Sequence, residues 1–449
     1  MDLSTLIRSS LFTFLIILCA PIHAQEKPNV ILIYTDDQGS VDMNCYGASD
    51  LVTPHMDAIA QSGVRFTQFY AFPICSPSRA SLLTGKTPQR AGVPGNVGAT
   101  HGQRSGLPPT EYTMAEMFKD AGYNTAHIGK WHLGYTPEKG PNAQGFDYSF
   151  GHLVGCIDNY SHFYYWRGPN RHDLYRNGEE VFYDGQFFPD LMLKEAFYFM
   201  EHNKTAPFFM YFALNLPHYP YQGDVKWLEY YRNKGVDYPR DLYAAFLSTM
   251  DDRIGELLAE LERLGLRDNT IIVFQSDNGH STEERAHWGG GSAGPYRGAK
   301  QCLFEGGIRV PAAISWPGKL PAGEVRDQLA VNTDWMPTLA ELVGIELNTG
   351  DLDGRSLVPV LHNPDAESLH QDGYCWKFKD MWVARKGKWK LIGNPYDTSQ
   401  RDYEFNEDRF LVNLETDPGE RTNLALQHPD IVNNLEAQYH NWLKSNNDE

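Results

Sequence analysis

The sequence predicts an α/β sandwich, with a large and mostly parallel sheet between helices, followed by a smaller C-terminal α+β subdomain. Three observations predict it. As far as Val343, apolar branched runs that read as buried strands alternate with capped or amphipathic helical segments. Clusters of polar residues follow those runs directly, where ligands gather beyond the carboxyl ends of parallel strands. Past Val343 the chain turns to turn-rich sequence and short aromatic runs.

In chain order, Asn29 to Thr35 is an apolar run ending at Asp36 and Asp37, which places two acids at a strand's carboxyl end. Thr53-Pro54 opens a helix through Ala60, closed by Gly63, and Val64 to Tyr70 reads as the next strand. Thr113 caps a helix to Ala121, Gly122 stops it, and Asn124 to Ile128 is a short strand leading into Lys130 and His132. An aromatic, loop-rich stretch from Tyr160 to Phe188 precedes the buried run Pro207 to Leu214, after which comes Leu216-Pro217-His218. Asp241 to Leu264 has the period of a long amphipathic helix, and Thr270 to Phe274 that of a strand running into Ser276-Asp277-Asn278-Gly279. Met381 to Ala384 and Lys388 to Ile392 read as short strands, and Ile431 to Leu443 as a terminal helix.

A chain of 449 residues with 41% hydrophobic and 13% aromatic content can bury a large core. Its net charge of -18 excludes nonspecific attraction to nucleic acid or to anionic membranes, whose fields it opposes. An anionic substrate must then be held by locally placed cations. Arg8, the apolar run Leu11 to Ala20, and Pro21-Ile22-His23-Ala24 have the layout of a secretory signal peptide, with cleavage expected after Ala24. The run is shorter than the roughly 20 residues of a spanning helix, so a periplasmic or secreted protein without a stable membrane anchor is expected. Cys19 follows the bulky Leu18, which disfavours a lipid-bearing cysteine. The remaining cysteines, at 45, 75, 156, 302 and 375, are too widely spaced to assign disulfides, and no CxxC pair suggests zinc.

The segment Pro73-Ile74-Cys75-Ser76-Pro77-Ser78-Arg79 puts a cysteine just before a helix start, with Pro77 in the first turn. Free backbone N–H groups and the positive end of the dipole point at whatever residue 75 carries, and Arg79 follows within a turn. Alone, such a cysteine reads as a buried structural thiol, and an Asp-Asp or Asp-Asn pair as a turn or cap.

Taken together, these segments resemble a known family. Residues 75–79 match the sulfatase signature Cys-x-Pro-Ser-Arg, and Gly122-Tyr123-Asn124-Thr125-Ala126-His127-Ile128-Gly129-Lys130-Trp131-His132 resembles that family's second signature. With Asp36-Asp37 and Asp277-Asn278 in order, the resemblance to formylglycine-dependent type I sulfatases covers nearly the whole mature chain. These include arylsulfatases, N-acetylgalactosamine-6-sulfatase-like enzymes and bacterial polysaccharide sulfatases. The resemblance implies an alkaline-phosphatase-like fold, while the leader layout and the change of pattern past Val343 divide the chain into a signal peptide (1–24), a catalytic domain (25–345) and a smaller subdomain with antiparallel strands and a terminal helix (346–449).

It also implies roles. Cys75 is oxidised to formylglycine by a separate formylglycine-generating or sulfatase-maturating enzyme, and the hydrated aldehyde supplies an oxygen nucleophile. Asp36, Asp37, Asp277, the amide oxygen of Asn278 and modified residue 75 match the metal ligands, a hard oxygen set that suits Ca2+, with Mg2+ as the alternative. Arg79 holds the hydrated aldehyde, Lys130 contacts it and the sulfate, and His132 is the base for collapse of the intermediate. His218 protonates the departing oxygen, and Lys300 grips sulfate. Apart from the resemblance, His280, Glu283, His287 and Trp288 lie on a Gly-rich loop placed to border a substrate, while Tyr160, Phe163, Tyr164, Tyr165 and Trp166 either stack on sugar rings or pack within their loop. The expected substrate is a sulfated carbohydrate. The alternatives are a formylglycine phosphodiesterase or phosphonate hydrolase, and a noncatalytic carbohydrate-binding relative.

Overall fold

The computed structural model describes residues 27–98, 105–165, 170–400 and 405–446. The expected signal peptide and Trp166 lie outside the described residues. At the centre stands a ten-stranded sheet whose middle five strands run parallel, in the order Thr270–Ser276, Asn29–Thr35, Phe208–Ala213, Asn124–Lys130 and Tyr148–His152. Ala312–Ser315 joins one side antiparallel and carries Val64–Phe66 and then Glu324–Arg326 beyond it. Short antiparallel strands Tyr175–Arg176 and Glu179–Glu180 close the other side.

The strand of residues 29–35 is buried throughout, and apolar from Val30 to Tyr34, because helices cover both of its faces. Ile31 and Ile33 point, with Ile128, Met210 and Phe274, into a core shared with the helices Pro54–Gln61, Phe188–Asn203 and Arg240–Arg263. Val30, Leu32 and Tyr34 point the other way, with Phe209, Tyr211 and Val273, onto the helices Cys75–Thr84, Met114–Asp120 and Trp335–Val343. The period-2 alternation of one strand thus feeds two cores. The Met114–Asp120 helix starts with a capping box, Thr113 accepting from the Glu116 N–H while Glu116 accepts from the Thr113 N–H.

Three local expectations shift. The run Val64 to Tyr70 breaks at Thr67 and Gln68, and Phe69–Tyr70 leaves the large sheet to pair with Ala330–Val331. The Thr67 N–H bonds the Arg326 carbonyl at the break, which redirects the chain toward residue 75. Cys75 is the first residue of its helix rather than the residue before it, because extended Ile74 takes the N-cap position. Lys130 is the last residue of its strand and not a loop residue, since the ladder with Tyr148–His152 continues to the Lys130–His152 pair.

The C-terminal part forms a four-stranded antiparallel sheet, Tyr374–Phe378, Met381–Lys386, Trp389–Gly393 and Arg409–Asn413. One face packs on the helix Pro429–Ser445, where Trp382 and Tyr439 stack at 4.2 Å between ring centroids. The other face presses Trp376, Val383 and Ile392 onto Tyr70, Phe72 and Ile308 of the larger unit. Across this seam buried Lys390 reaches both Glu305 (2.9 Å) and Glu420 (2.8 Å). The five described cysteines are all unbonded thiols.

Candidate active site

Parallel pairing of Thr35 with Ser276 brings the two acidic strand ends together. There the Asp277 N–H donates to the Thr35 carbonyl (3.0 Å), and the Asp37 N–H donates to Asp277 Oδ1 (3.0 Å). Asp37 takes a left-handed backbone (φ 62°), which turns its carboxylate toward the same point. Asp36, Asp37, Asp277 and Asn278 are 0 to 2% exposed. Asn278 donates its amide to Asp37 Oδ1 (2.7 Å), leaving its Oδ1 buried without a hydrogen-bond partner among the described residues.

Three buried carboxylates beside an unpaired amide oxygen form a hard donor set that fits a divalent alkaline-earth cation. Burial and the neighbouring Asp36 carboxylate push Asp277 up to about 6, the repulsion such a cation relieves. Asp37 goes the other way. Burial opposes its ionisation, but Lys300 and His218 outweigh it and bring it down to about 2.

Cys75 Sγ lies 3.6 Å from Asp36 Oδ1, and the ligand atoms of Asp36, Cys75 and Asp277 fall within 4.8 Å of one another. No side chain caps the helix at Ile74, while Asn96 Oδ1 accepts the Ser76 N–H (3.1 Å). Burial pushes the Cys75 thiol pKa upward, more than Lys130 and Lys300 bring it down. A plain thiol here is therefore a poor thiolate nucleophile.

Cations converge on the same acids. Arg79, fully buried one turn along the helix, lies 2.8 Å from Asp277 Oδ2 and 3.6 Å from Asp36 Oδ1. It also donates to the Lys130 carbonyl and the Tyr211 hydroxyl. Lys130 Nζ sits 2.6 Å from Asp36 Oδ2, and Lys300 Nζ sits 2.8 Å from Asp37 Oδ2 and 3.8 Å from Glu283 Oε2. Burial lowers the pKa of both lysines, yet Asp36 for Lys130 and Asp37 for Lys300 raise it above the ordinary value, so both stay charged.

His132 follows in a left-handed conformation (φ 57°), with its carbonyl accepting from Ser76 Oγ (2.7 Å). Its ring packs over Gly155, where a Cβ would approach to 2.8 Å, so any larger residue there would push the imidazole aside. Burial, then Lys130 and Arg79, push its pKa well below the ordinary histidine value. His218 Nε2 lies 3.6 Å from Asp37 Oδ2, and its Nδ1 lies 2.6 Å from the Tyr219 carbonyl. A carbonyl only accepts, which assigns the Nδ1–H tautomer. Burial first, with Lys300 and Lys130 adding to it, brings its pKa down to about 3 against the pull of Asp37.

Every site residue expected from the sequence thus lies in one buried cluster. The bordering residues divide. The Lys300 N–H donates to the carbonyl of buried His280, and Glu283 accepts from the Tyr219 hydroxyl (3.1 Å). His287 and Trp288 both adopt left-handed backbones farther along that loop. Of the aromatic cluster, Tyr164 is buried and Tyr160 stacks on Phe187 at 5.1 Å, so both pack within the loop.

Sequence reasoning missed the opposite wall. Lys300, Glu283 and Gln301 open into a cavity of about 660 Å³ whose far side is Phe378 and Met381 of the C-terminal sheet, with Lys379, Asn394 and Tyr396 of the turns beside them. Little in the local pattern of those residues marks them beyond turn-forming character at Lys379-Asp380 and Asn394, where the backbone turns left-handed at Lys379 (φ 55°) and Asn394 (φ 49°). Also missed were Tyr211, which holds Arg79, and Asn96, which meets the helix start.

Residues 28–345 match the family model described as sulfatase, and residues 297–448 match the one described as N-sulphoglucosamine sulphohydrolase, C-terminal. Arylsulfatase J of Mus musculus is 32% identical, covering 91% of this chain and 75% of its own. The N-acetylgalactosamine-6-sulfatase of Sus scrofa is 35% identical, covering 92% of this chain and 84% of its own. The crystal structure of Ps i-CgsB superposes with a TM-score of 0.83 at 30% identity, covering 93% of both chains. The same protein in complex with k-i-k-neocarrahexaose gives a TM-score of 0.82 at 29% identity and the same coverage.

Proposed function

Since the chain belongs to the sulfatase family of the alkaline phosphatase superfamily, and is a sulfuric ester hydrolase, we propose that it removes sulfate from a sulfated carbohydrate, polysaccharide or oligosaccharide. The proposed nucleophile is a formylglycine made from Cys75 by a maturation enzyme. The observation that carries the reading is the convergence of Arg79, Lys130 and Lys300 on three buried carboxylates around residue 75.

Asp36, Asp37, Asp277 and Asn278 would hold one Ca2+, which when bound supplies a Lewis acid that polarises sulfate and lowers the pKa of an oxygen nucleophile. The chain's own residues do the rest. Lys130 and Lys300 attract the sulfate oxygens and balance charge that grows there in the transition state. Arg79, fixed by Asp277 and Tyr211, keeps positive charge beside residue 75. His132, neutral at working pH, accepts the proton when the sulfated intermediate collapses.

His218 aims Nε2 into the site and would donate a proton to the departing sugar oxygen. That requires a proton on Nε2, which the negative charge of a bound sulfate ester favours. The cavity between Lys300 and Tyr396 is the right kind of place for the sugar, with an exposed ring to stack on and polar groups around it. Ps i-CgsB in complex with a neocarrahexaose supports a carbohydrate substrate.

We further propose the division into a signal peptide (1–24), a catalytic unit (25–345) and a smaller unit (346–449), with export to the periplasm or beyond. Among the described residues no helix is long and apolar enough to cross a membrane. The test is sulfate release from a panel of defined sulfated oligosaccharides, with mass spectrometry of the residue-75 peptide on the same sample. Turnover accompanied by formylglycine is expected. Activity on phosphonates without any on sulfate esters, or full activity with an unmodified thiol, would overturn the reading.

A further inference from the structure

A second group of metal-ligating side chains shares no residue with the site around Cys75. His162, His172 and Asp184 bring one ligand atom each to within 4.8 Å of one another. His162 is 0% and His172 8% exposed, while Asp184 is exposed.

The hydrogen bonds of the two rings settle their tautomers. His162 Nε2 lies 3.0 Å from the Gln186 carbonyl, and His172 Nδ1 lies 2.9 Å from Glu180 Oε1. A carbonyl and an ionised carboxylate only accept, so the ring protons sit on those nitrogens. His162 Nδ1 and His172 Nε2 are left as lone-pair donors, and both are buried with no hydrogen-bond partner among the described residues. Leaving two such atoms desolvated is unfavourable unless something pairs with them. The rings stand at 83° with centroids 6.1 Å apart, and His172 is held in orientation by Phe182 stacked on it at 4.4 Å.

We propose that His162, His172 and Asp184 bind a divalent cation of the zinc class. Two neutral imidazoles and one carboxylate are a borderline donor set that prefers zinc to calcium, unlike the all-oxygen set beside Cys75. The bonds to Gln186 and Glu180 are the outer partners that fix ring tautomer and raise ligand basicity in such sites. Exposed Asp184 provides the route in from solvent.

The site has a structural role toward the catalytic residues. The His162 N–H bonds the Asp158 carbonyl, and Asp158 Oδ2 accepts from Gln222 (2.7 Å). Neighbouring Asn159 accepts from Asn215 (2.8 Å), in the segment that leads from the strand Phe208–Ala213 to His218. A cation joining His162 to His172 and Asp184 therefore cross-links the aromatic loop that supports the His218 segment. These residues act by positioning.

The full chain, stripped with a chelator and resupplied with excess Ca2+ to fill the site around residue 75, is titrated with Zn2+ by calorimetry and with Co2+ by visible absorption. One equivalent of Zn2+ and tetrahedral Co2+ bands are expected in the wild type and in Asp277→Asn, which leaves this group intact. His172→Gln should abolish both signals, and Glu180→Gln should weaken binding by about 10–100-fold. Should His172→Gln fail to fold, Asp184→Asn at the exposed position carries the test. Absence of Zn2+ binding by the wild type, or unchanged affinity in Asp184→Asn, overturns the proposal.

Discussion

Lys300 and Asp37 form a buried ion pair, Nζ to Oδ2 at 2.8 Å, between residues 263 positions apart in the chain. The pair keeps Asp37 ionised at a depth where burial alone would favour its neutral form, and it aims the lysine at the point where the acids converge. Lys300→Ala is expected to lower kcat/KM by about 10²–10³-fold, as loss of one preorganised group facing transition-state charge does. Steady-state kinetics on a sulfated oligosaccharide check this. An unchanged kcat/KM would remove Lys300 from the sulfate-binding group.

Asp277→Asn removes a carboxylate that receives Arg79 and faces Asp36. The variant is expected to lose bound calcium and turnover together, measured by elemental analysis and sulfate release on one preparation. Full calcium content in an inactive variant would assign Asp277 to chemistry rather than to metal binding.

His218→Ala should cost sugar sulfates at least about 10²-fold in kcat, the usual contribution of a positioned proton donor, and activated aryl sulfates far less. Aryloxide leaving groups need little protonation, whereas a sugar alkoxide needs it. Equal losses on both substrate classes would exclude His218 as the acid.

Tyr396 is 54% exposed on the wall opposite Lys300. If that cavity receives the sugar, Tyr396→Ala should raise KM for oligosaccharides several-fold and leave small aryl sulfates unaffected, since stacking contributes about 0.5–1.5 kcal/mol. A parallel change on both substrates would place the sugar elsewhere.

Asp251 accepts the His55 and Met56 N–H groups at the start of a neighbouring helix, and burial raises its pKa from 3.8 to about 7. A carboxyl with a raised folded pKa holds its proton longer in the folded chain than in the unfolded one. Its contribution is thus full below about pH 4 and falls as pH rises toward about 7. Asp251→Asn should flatten the dependence of Tm on pH across that window, measured by thermal melts. An identical slope in both proteins would show that Asp251 titrates normally.

Much of the site was legible in the sequence because its residues sit at strand ends and a helix start, where short-range rules apply. The run 29–35 had to be a strand buried on both faces, so Asp36 and Asp37 had to stand at its carboxyl end. The Thr113 cap and the stop at Gly122 likewise placed Lys130 close to the end of the following strand. The break at Thr67 was not legible, because it depends on Arg326 and on pairing with residues 330–331, far along the chain.

By itself the sequence determined the family, the alternating architecture and which residues are candidates for the site, since each rests on local pattern and on motifs of fixed spacing. Only the tertiary structure decided the pairings: Lys300 with Asp37, Arg79 with Asp277, the C-terminal sheet as the far wall of the cavity, and His162 with His172. The physical reason is that charge–charge and donor geometry at a few ångströms depends on how parallel strands and long loops bring distant residues together. No local periodicity encodes those distances.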